Sequence, residues 1–584
     1  MTVSLHTYSA ALVLGVPYAN VPLSIKAGRI TLDVARFPHV DASLTVPVTD
    51  TAQLVNFDPR LKRRVIITAG SKTGALIKSR TFNLSLRKVR PNRATGDVEL
   101  SLASDEAVLQ DVGPLADDTT PRQYASSIRA LTNYVLSKIG ASLEPGTDDA
   151  NVTPYWDAVN LIKDPRYIGT AGQWSQANVT TAVDTAQPGP INGVAHNGVH
   201  IHTPTSNDGY VTVGAVNGMN FGVQIGKTYV FSANGAVRTV IGGSGPVDTD
   251  MNTGTTLPRQ RALVVHATGG GFSPAYKVWH SPQVPNTASS GAVAGTRVSV
   301  KFTVPQGTSD VFFRVYHGGT SGNITWSQFS LQEVDPAMPE ADGAEYFFGS
   351  RPSTPAYGYK WRDTADNSPS EREAVVERPR ELFTWRAGQG GVDFLSPILQ
   401  SQGFRLVCDE NQKWTLRKDG YRAPGALNLS YGVNIIAADE ETSRESDDWF
   451  DGAVYSYAWP DANGAERRQD DSYFLTPTPT KIVRREVRRE YPGPGRARYA
   501  VERAQAKGRT LTLETVSDWD ARAEQELLVR LDGTPIQLGT TDSVEFDLSN
   551  DRMRISSRTA DTPEGAIDLA TGTIDAAIGS IDSN

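Results

Sequence analysis

Residues 324–331 read Ile324-Thr-Trp-Ser-Gln-Phe-Ser-Leu331. Side chains of an extended strand alternate between two faces, so Ile324, Trp326 and Gln328 share one side and Phe329 and Leu331 the other. The same period of two recurs upstream: in Tyr229 and Phe231, in Val298, Val300, Phe302 and Val304, and in Val311, Phe313 and Val315. Loops carrying Gly and Asn separate these runs, and none of them has a helical period. Short alternating strands with turn residues between them predict an all-β sandwich.

Composition gives this region its limits. From 170 to 335, Asp, Glu, Lys and Arg fill 15 of 166 positions, about 9%, against 21% for the chain. From Lys481 to Arg530 they fill 20 of 50. Six of the eight His also fall in the charge-poor stretch. One continuous domain rarely changes so sharply, so residues 155–348 read as a module inserted into a host, with linkers near Glu144-Pro-Gly-Thr-Asp-Asp-Ala150 and at Pro352 and Pro355.

The host reads as β with helical additions. Thr81-Phe-Asn-Leu-Ser-Leu86 alternates, as do Val98, Leu100 and Leu102 after the turn 91–96. Thr120-Pro-Arg-Gln123 has the form of a capping box, and Tyr124, Ile128, Leu131, Val135 and Ile139 follow at steps of three and four. That spacing predicts one amphipathic helix over 120–140, ended by Gly140, and completes a first host part over 1–154. The second part, 349–560, reads as α+β. Hairpins are expected over 404–418 and 453–467, a strand over 510–516, and a helix from Asp518 to about Leu531 capped by Ser517. In the tail 561–584, Ile567-Asp568, Ile574-Asp575 and Ile581-Asp582 recur every seven residues, the mark of a short helix or of a disordered end.

A chain of 584 residues predicts three or four domains. Its net charge of −8 argues against general nucleic-acid binding. The lone Cys408 excludes internal disulfides and cysteine-built zinc sites, and reads as a small buried strand residue. No apolar run approaches the ~20 residues of a membrane helix. The stretch 10–16 lacks a preceding cation and reads as a strand instead of a signal sequence, which predicts synthesis in the cytosol. Gly-x-Ser-x-Gly, P-loop, His-Glu-x-x-His and dinucleotide motifs are absent, so no catalysis is expected.

Aromatic residues in the charge-poor module are the candidates for contact with a saccharide. Sugar rings present a C–H face to aromatic rings and hydroxyls to polar groups. Trp279 beside His280, Tyr316 beside His317, and Trp174 and Trp326 carry this expectation, although a single Trp is more often core than ligand contact. His196, His200 and His202 have the spacing of a metal cluster but no acidic neighbour, and read as surface or sugar-contacting imidazoles. Tyr455, Tyr457 and Trp459 form a stripe on one strand face, read as core or subunit contact. The mixed-sign run with Arg484, Arg485 and Arg488 reads as a salt-bridged surface or subunit interface.

The first part resembles the minor tail proteins of long-tailed phages of actinobacteria, of the baseplate-hub or tail-associated type. The residues that carry this are Ile30-Thr-Leu-Asp33 to Pro38, Ala42-Ser-Leu-Thr45, Phe57-Asp-Pro-Arg60, Arg64-Val65 and Ser101-Leu-Ala-Ser-Asp-Glu106. The segment from Phe383-Thr-Trp385 to Lys418 is also similar. The resemblance implies β-barrel-like hub domains with α+β additions. It also implies a homotrimeric ring at the virion's tail tip, joined to the distal tail protein, the tape measure protein and other tail-tip or fibre proteins. The insert resembles a jelly-roll carbohydrate-binding module through Asn160-Leu-Ile162, Asp164-Pro165, Trp174, Gly226-Lys-Thr-Tyr-Val-Phe231 and the strand from Ile324 to Val334. Trp326-Ser-Gln-Phe329 lacks the Asp that holds calcium in many such modules, and no metal or cofactor is expected. The expected function is a structural tail-tip hub that attaches to host cell-surface glycans. The alternatives are a free adhesin, which could be monomeric, or a tail-tip glycan hydrolase.

Overall fold

The computed structural model describes residues 4–15, 19–48, 51–168, 174–185, 194, 196–202, 204–213, 222–272, 275–288, 295–336, 338–354, 356–375, 378–442, 449–460, 464, 466–505, 509–532 and 537–561. The heptad-like tail lies outside them. The chain is mainly β and divides into two compact units. The first is Met1–Pro154, Arg380–Trp459 and Arg467–Asn584; the second is Tyr155–Pro379 and Pro460–Glu466.

The first unit is built around a 13-stranded sheet. Its seam is the antiparallel pair of Ala27–Asp33 with Gln537–Asp547, registered from Arg29 opposite Asp547 to Asp33 opposite Ser543. Segments far apart in the chain therefore share one core, in which Ile30, Leu44, Phe82 and Leu100 join Leu513, Trp519, Val544 and Phe546. A second core also draws on both sides of the insert. Leu109, Ile128, Leu131 and Val135 pack with Phe383, Trp385, Phe394, Ile398, Phe404 and Trp414. Cys408 is fully buried here, at the end of the strand Phe404–Cys408.

Two expected helices are different in the structure. The span 120–140 holds a 3-10 turn, Thr120–Tyr124, and a separate α-helix, Ile128–Ser137. The break arises because the chain's return pairs with the linking residues: Ile128 N donates to Ala150 O at 2.9 Å and Val152 N to Ala125 O at 2.8 Å. Ser127 becomes the N-cap, accepting from Ala130 N at 3.1 Å. The stretch after Ser517 is a turn followed by the strand Gln525–Arg530. Leu527 and Val529 are buried while Glu526 and Arg530 are exposed, a period of two that suits a strand between two partners. The helix Arg496–Gln505 was not expected. It packs Ala497, Val501 and Ala504 against Tyr455, Tyr457 and Trp459.

The second unit is a two-sheet sandwich. One sheet has eight strands, centred on Ser321–Val334 and Thr228–Gly242; the other has five, in the order Tyr276–His280, Leu263–Gly269, Thr308–Tyr316, Tyr210–Val213, Trp174–Ala177. The unit extends past residue 348 to take in the hairpin of Tyr357–Trp361 and Ser370–Ala374, which joins the larger sheet. Its core corrects the simple alternation of 324–331: Ile324, Trp326, Phe329 and Leu331 all point inward. A bulge makes this so. Ser232 opposes Ser330 but Asn234 opposes Ser327, which leaves one extra residue on the later strand. Gln328 takes it up with φ of 55°, and its Oε1 accepts from Asn234 Nδ2 at 2.9 Å. Opposite, Gly235 lies under Trp326, where a Cβ would come within 2.8 Å of the indole.

Candidate saccharide-binding face

The five-stranded sheet turns Leu263, Val265, Val311, Phe313, Val211 and Val213 into the core. Its other face is therefore set by register. Val264 opposes both His280 and Arg314, and Arg314 opposes Thr212, which opposes Ser175. This gives one row across all five strands: His280, Val264, Arg314, Thr212, Ser175. Tyr316 and Tyr210 form the row on one side, with ring centroids 5.0 Å apart. Val278, His266 and Phe312 form the row on the other, followed by Tyr276.

Arg314 lies between the rings. Its guanidinium carbon is 4.3 Å from the centroid of Tyr210 and 5.3 Å from that of Phe312. Arg314 has no carboxylate partner among the described residues, and its buried Nε has no hydrogen bond. Tyr210, Phe312 and Arg314 are all half-buried, and Tyr276 is exposed at its edge. The other half of the face is closed over. Asp248 receives Arg259, with Nη2 to Oδ1 at 2.7 Å, and sits 3.5 Å from both His280 Nε2 and the Tyr276 hydroxyl. Burial raises the Asp248 pKa, but the Arg259 guanidinium bonded to it, with His280 close by, outweighs this and holds the carboxyl below its usual range. Burial, with Arg314 and Arg259 nearby, lowers His266 to about 3, so its imidazole is neutral at physiological pH. The open half thus offers two rings and a planar cation that reaches the Tyr316 hydroxyl at 3.5 Å and no carboxylate among the described residues, and the closed half fixes the sheet beneath them.

The sequence candidates scatter. Trp326 is fully buried, and Trp279 is buried in the core against Phe302 at 5.7 Å. Neither has a free face for a ligand. Trp174 is half-buried and packs on Phe329 and Tyr167. His317 is a buried loop pin, its Nε2 2.9 Å from Gly322 O. Only Tyr316 and His280 lie on the face described above, and both are buried beneath its surface. The sequence reading missed Tyr210, Phe312 and Arg314. The signal was present, since Phe312 and Arg314 occupy the non-core positions of the alternating run Val311, Phe313, Val315.

The histidine trio is spread over different tasks. His200 and His202 stack at 5.5 Å, whereas His196 packs on Phe348 at 4.6 Å. Among the described residues no group of three His, Cys, Asp or Glu could hold a metal ion. In the first unit, Tyr455, Tyr457 and Trp459 are buried within the chain itself, so the stripe is core and not subunit contact. Arg484, Arg485 and Arg488 are exposed.

No family model matches the chain, and no curated protein matches it. Among solved structures it is similar to the 43 kDa tail protein of prophage MuSo2 from Shewanella oneidensis, at 8% identity and a TM-score of 0.37, over 95% of this chain and 98% of that one. It is similar to the tail protein from Neisseria meningitidis MC58 at 10% identity and a TM-score of 0.36, over 95% and 96%. It is also similar to the C-terminal family 22 carbohydrate binding module of Clostridium thermocellum Xyn10B, at 12% identity and a TM-score of 0.20, over 32% of this chain and 97% of that one. At these scores none of the three carries an argument about what this chain does.

Proposed function

We propose that this chain is a structural protein of a phage tail whose second unit recognises a saccharide. The observation that carries the saccharide reading is Arg314, which has no carboxylate partner among the described residues and is set between Tyr210 and Phe312 on a sheet face. Aromatic rings take the C–H face of a sugar, and a guanidinium supplies donors to its hydroxyls or to a carboxylate. The tail reading is supported by the sequence resemblance over 1–150 and 350–560, and by a first unit whose sheet closes across a large insertion. In this reading the first unit assembles as a homotrimeric hub at the tail tip, with the distal tail and tape measure proteins as neighbours. The second unit contacts host cell-surface glycans without cleaving them. Three copies per ring raise weak single-site binding by roughly 10²–10⁴.

Two measurements on the whole protein test this. Native mass of the full chain is expected at three times 63.1 kDa. Particles carrying Tyr210→Ala with Phe312→Ala are expected to assemble normally and adsorb to host cells more slowly. A monomeric mass would remove the hub, unchanged adsorption would remove the attachment role, and released sugar fragments would replace binding with hydrolysis.

A further inference from the structure

The first unit holds a cavity of about 500 Å³ that the saccharide face does not use. Five arginines line it, Arg36, Arg405, Arg485, Arg496 and Arg503, against two acids, Glu106 and Asp393. The acids are engaged elsewhere. Glu106 accepts from the backbone N of His39 and of Cys408, and Asp393 accepts from Gln110 Nε2 at 2.6 Å. Arg36 pairs with Asp33, and Arg405 with Glu524. The other three have no carboxylate partner among the described residues. Arg496 reaches the Tyr457 hydroxyl at 3.2 Å, Arg503 reaches Val34 O at 3.4 Å, and Arg485 is exposed on its strand. Cations without a carboxylate partner, set beside apolar side chains such as Phe37, Leu395 and Leu406, suit an anionic occupant that also carries apolar side chains.

The chain itself contains such a segment. Residues 562–584 carry Glu564, Asp568, Asp575 and Asp582, no Lys or Arg, and an Ile directly before each of the three aspartates. The strand that leads into it, Arg552–Asp561, runs along the wall of an adjoining cavity. Arg558 pairs with Thr540 and Ser557 with Thr541, and both threonines line a space of about 240 Å³. That space shares Arg405 and Arg503 with the larger cavity. Glu564 follows Asp561 by three residues, within ~10 Å of the strand end.

We propose that these adjoining cavities are the receptor for the chain's own acidic segment 562–584, its aspartates paired with Arg485, Arg496 and Arg503 and its isoleucines against the apolar wall. The segment then acts as an internal strap on the helix Arg496–Gln505, which supplies two of the three cations.

Cysteine cross-linking in the full chain tests this, because the one native thiol, Cys408, is buried. Ser396 lines the cavity and Ser549 is exposed on a distant turn. Asp575→Cys combined with Ser396→Cys is expected to close an intramolecular disulfide at least tenfold faster than with Ser549→Cys. Adding Asp568→Asn and Asp582→Asn, which leaves the cavity untouched, is expected to slow closure at least fivefold at low salt. Equal rates at the two serines would overturn the proposal, as would indifference to the Asn changes. Cross-linked dimers in place of intramolecular closure would assign the cavity to a neighbouring copy's segment and overturn it as stated.

Discussion

Glu106 shows how one residue ties the host together. Its carboxyl bridges the backbone of His39 and Cys408, residues from opposite sides of the insert, and is 1% exposed. Burial raises its pKa to about 7, although the two backbone N–H groups pull the other way. The sign follows directly. Between about pH 4.5 and 7 the folded protein keeps a proton that the unfolded chain releases, so this group's contribution is full below 4.5 and lost as pH rises through 7. Glu106→Gln cannot titrate. The stability of wild type relative to that variant is therefore expected to fall by on the order of 3 kcal/mol across this window, and then to level off. Chemical denaturation of both proteins from pH 4.5 to 8 reads it; a flat difference would contradict the assignment. Glu106 closes one of the stretches that carry the resemblance, but its role was not legible, because it depends on backbone groups brought near by folding. The large aromatics were legible as core or as ligand contacts, and Trp279 and Trp326 are core. Replacing either by Ala is expected to cost the second unit about 3–5 kcal/mol, seen as earlier melting and not as a binding defect.

At the scale of elements, strands with clean alternation were legible, such as Val298 to Val304 and Phe404 to Lys418. The period of two survives there without interruption. The failures have physical causes. A capping box opened a 3-10 turn because the returning chain took the backbone groups of Ala125 and Ile128. The helix expected after Ser517 lost to pairing with two strands, one of them distant in sequence. The helix Arg496–Gln505 was hidden by its charge, although Ala497, Val501 and Ala504 hold a helical step. The bulge at Gln328 could not be read from pattern alone. It is testable by deletion: without Gln328 the run reads Ile-Thr-Trp-Ser-Phe-Ser-Leu, a strict alternation that keeps Ile324, Trp326, Phe329 and Leu331 on the core face, whereas removing Ser327 and Gln328 together turns Phe329 and Leu331 outward. The single deletion is expected to leave the second unit folded, and the double deletion to leave it open to protease while the first unit stays resistant. Equal protease resistance of the two would show that the bulge is not what sets the register.

At the scale of the molecule, the charge-poor stretch lies inside a compact unit that runs from Tyr155 to Pro379. Tyr155 and Arg378 bond to each other in both directions, at 3.2 and 3.0 Å, so the chain enters and leaves the second unit at one place. Replacing 155–379 by a short Gly/Ser bridge is therefore expected to give a soluble first unit with its melting transition retained; an insoluble product would mean that the two units fold only together. Function was less legible than architecture, because Tyr210 comes beside Phe312 and Arg314 only when two strands distant in sequence align. The central claim, a saccharide face at those residues, is tested most directly by equilibrium binding of the full chain to an array of bacterial cell-wall polysaccharides. Each ring is worth ~1 kcal/mol, so wild type is expected to bind at least one saccharide about 30-fold more tightly than Tyr210→Ala with Phe312→Ala, at equal melting temperature. No saccharide bound by wild type, or equal binding by the double variant, would contradict the account.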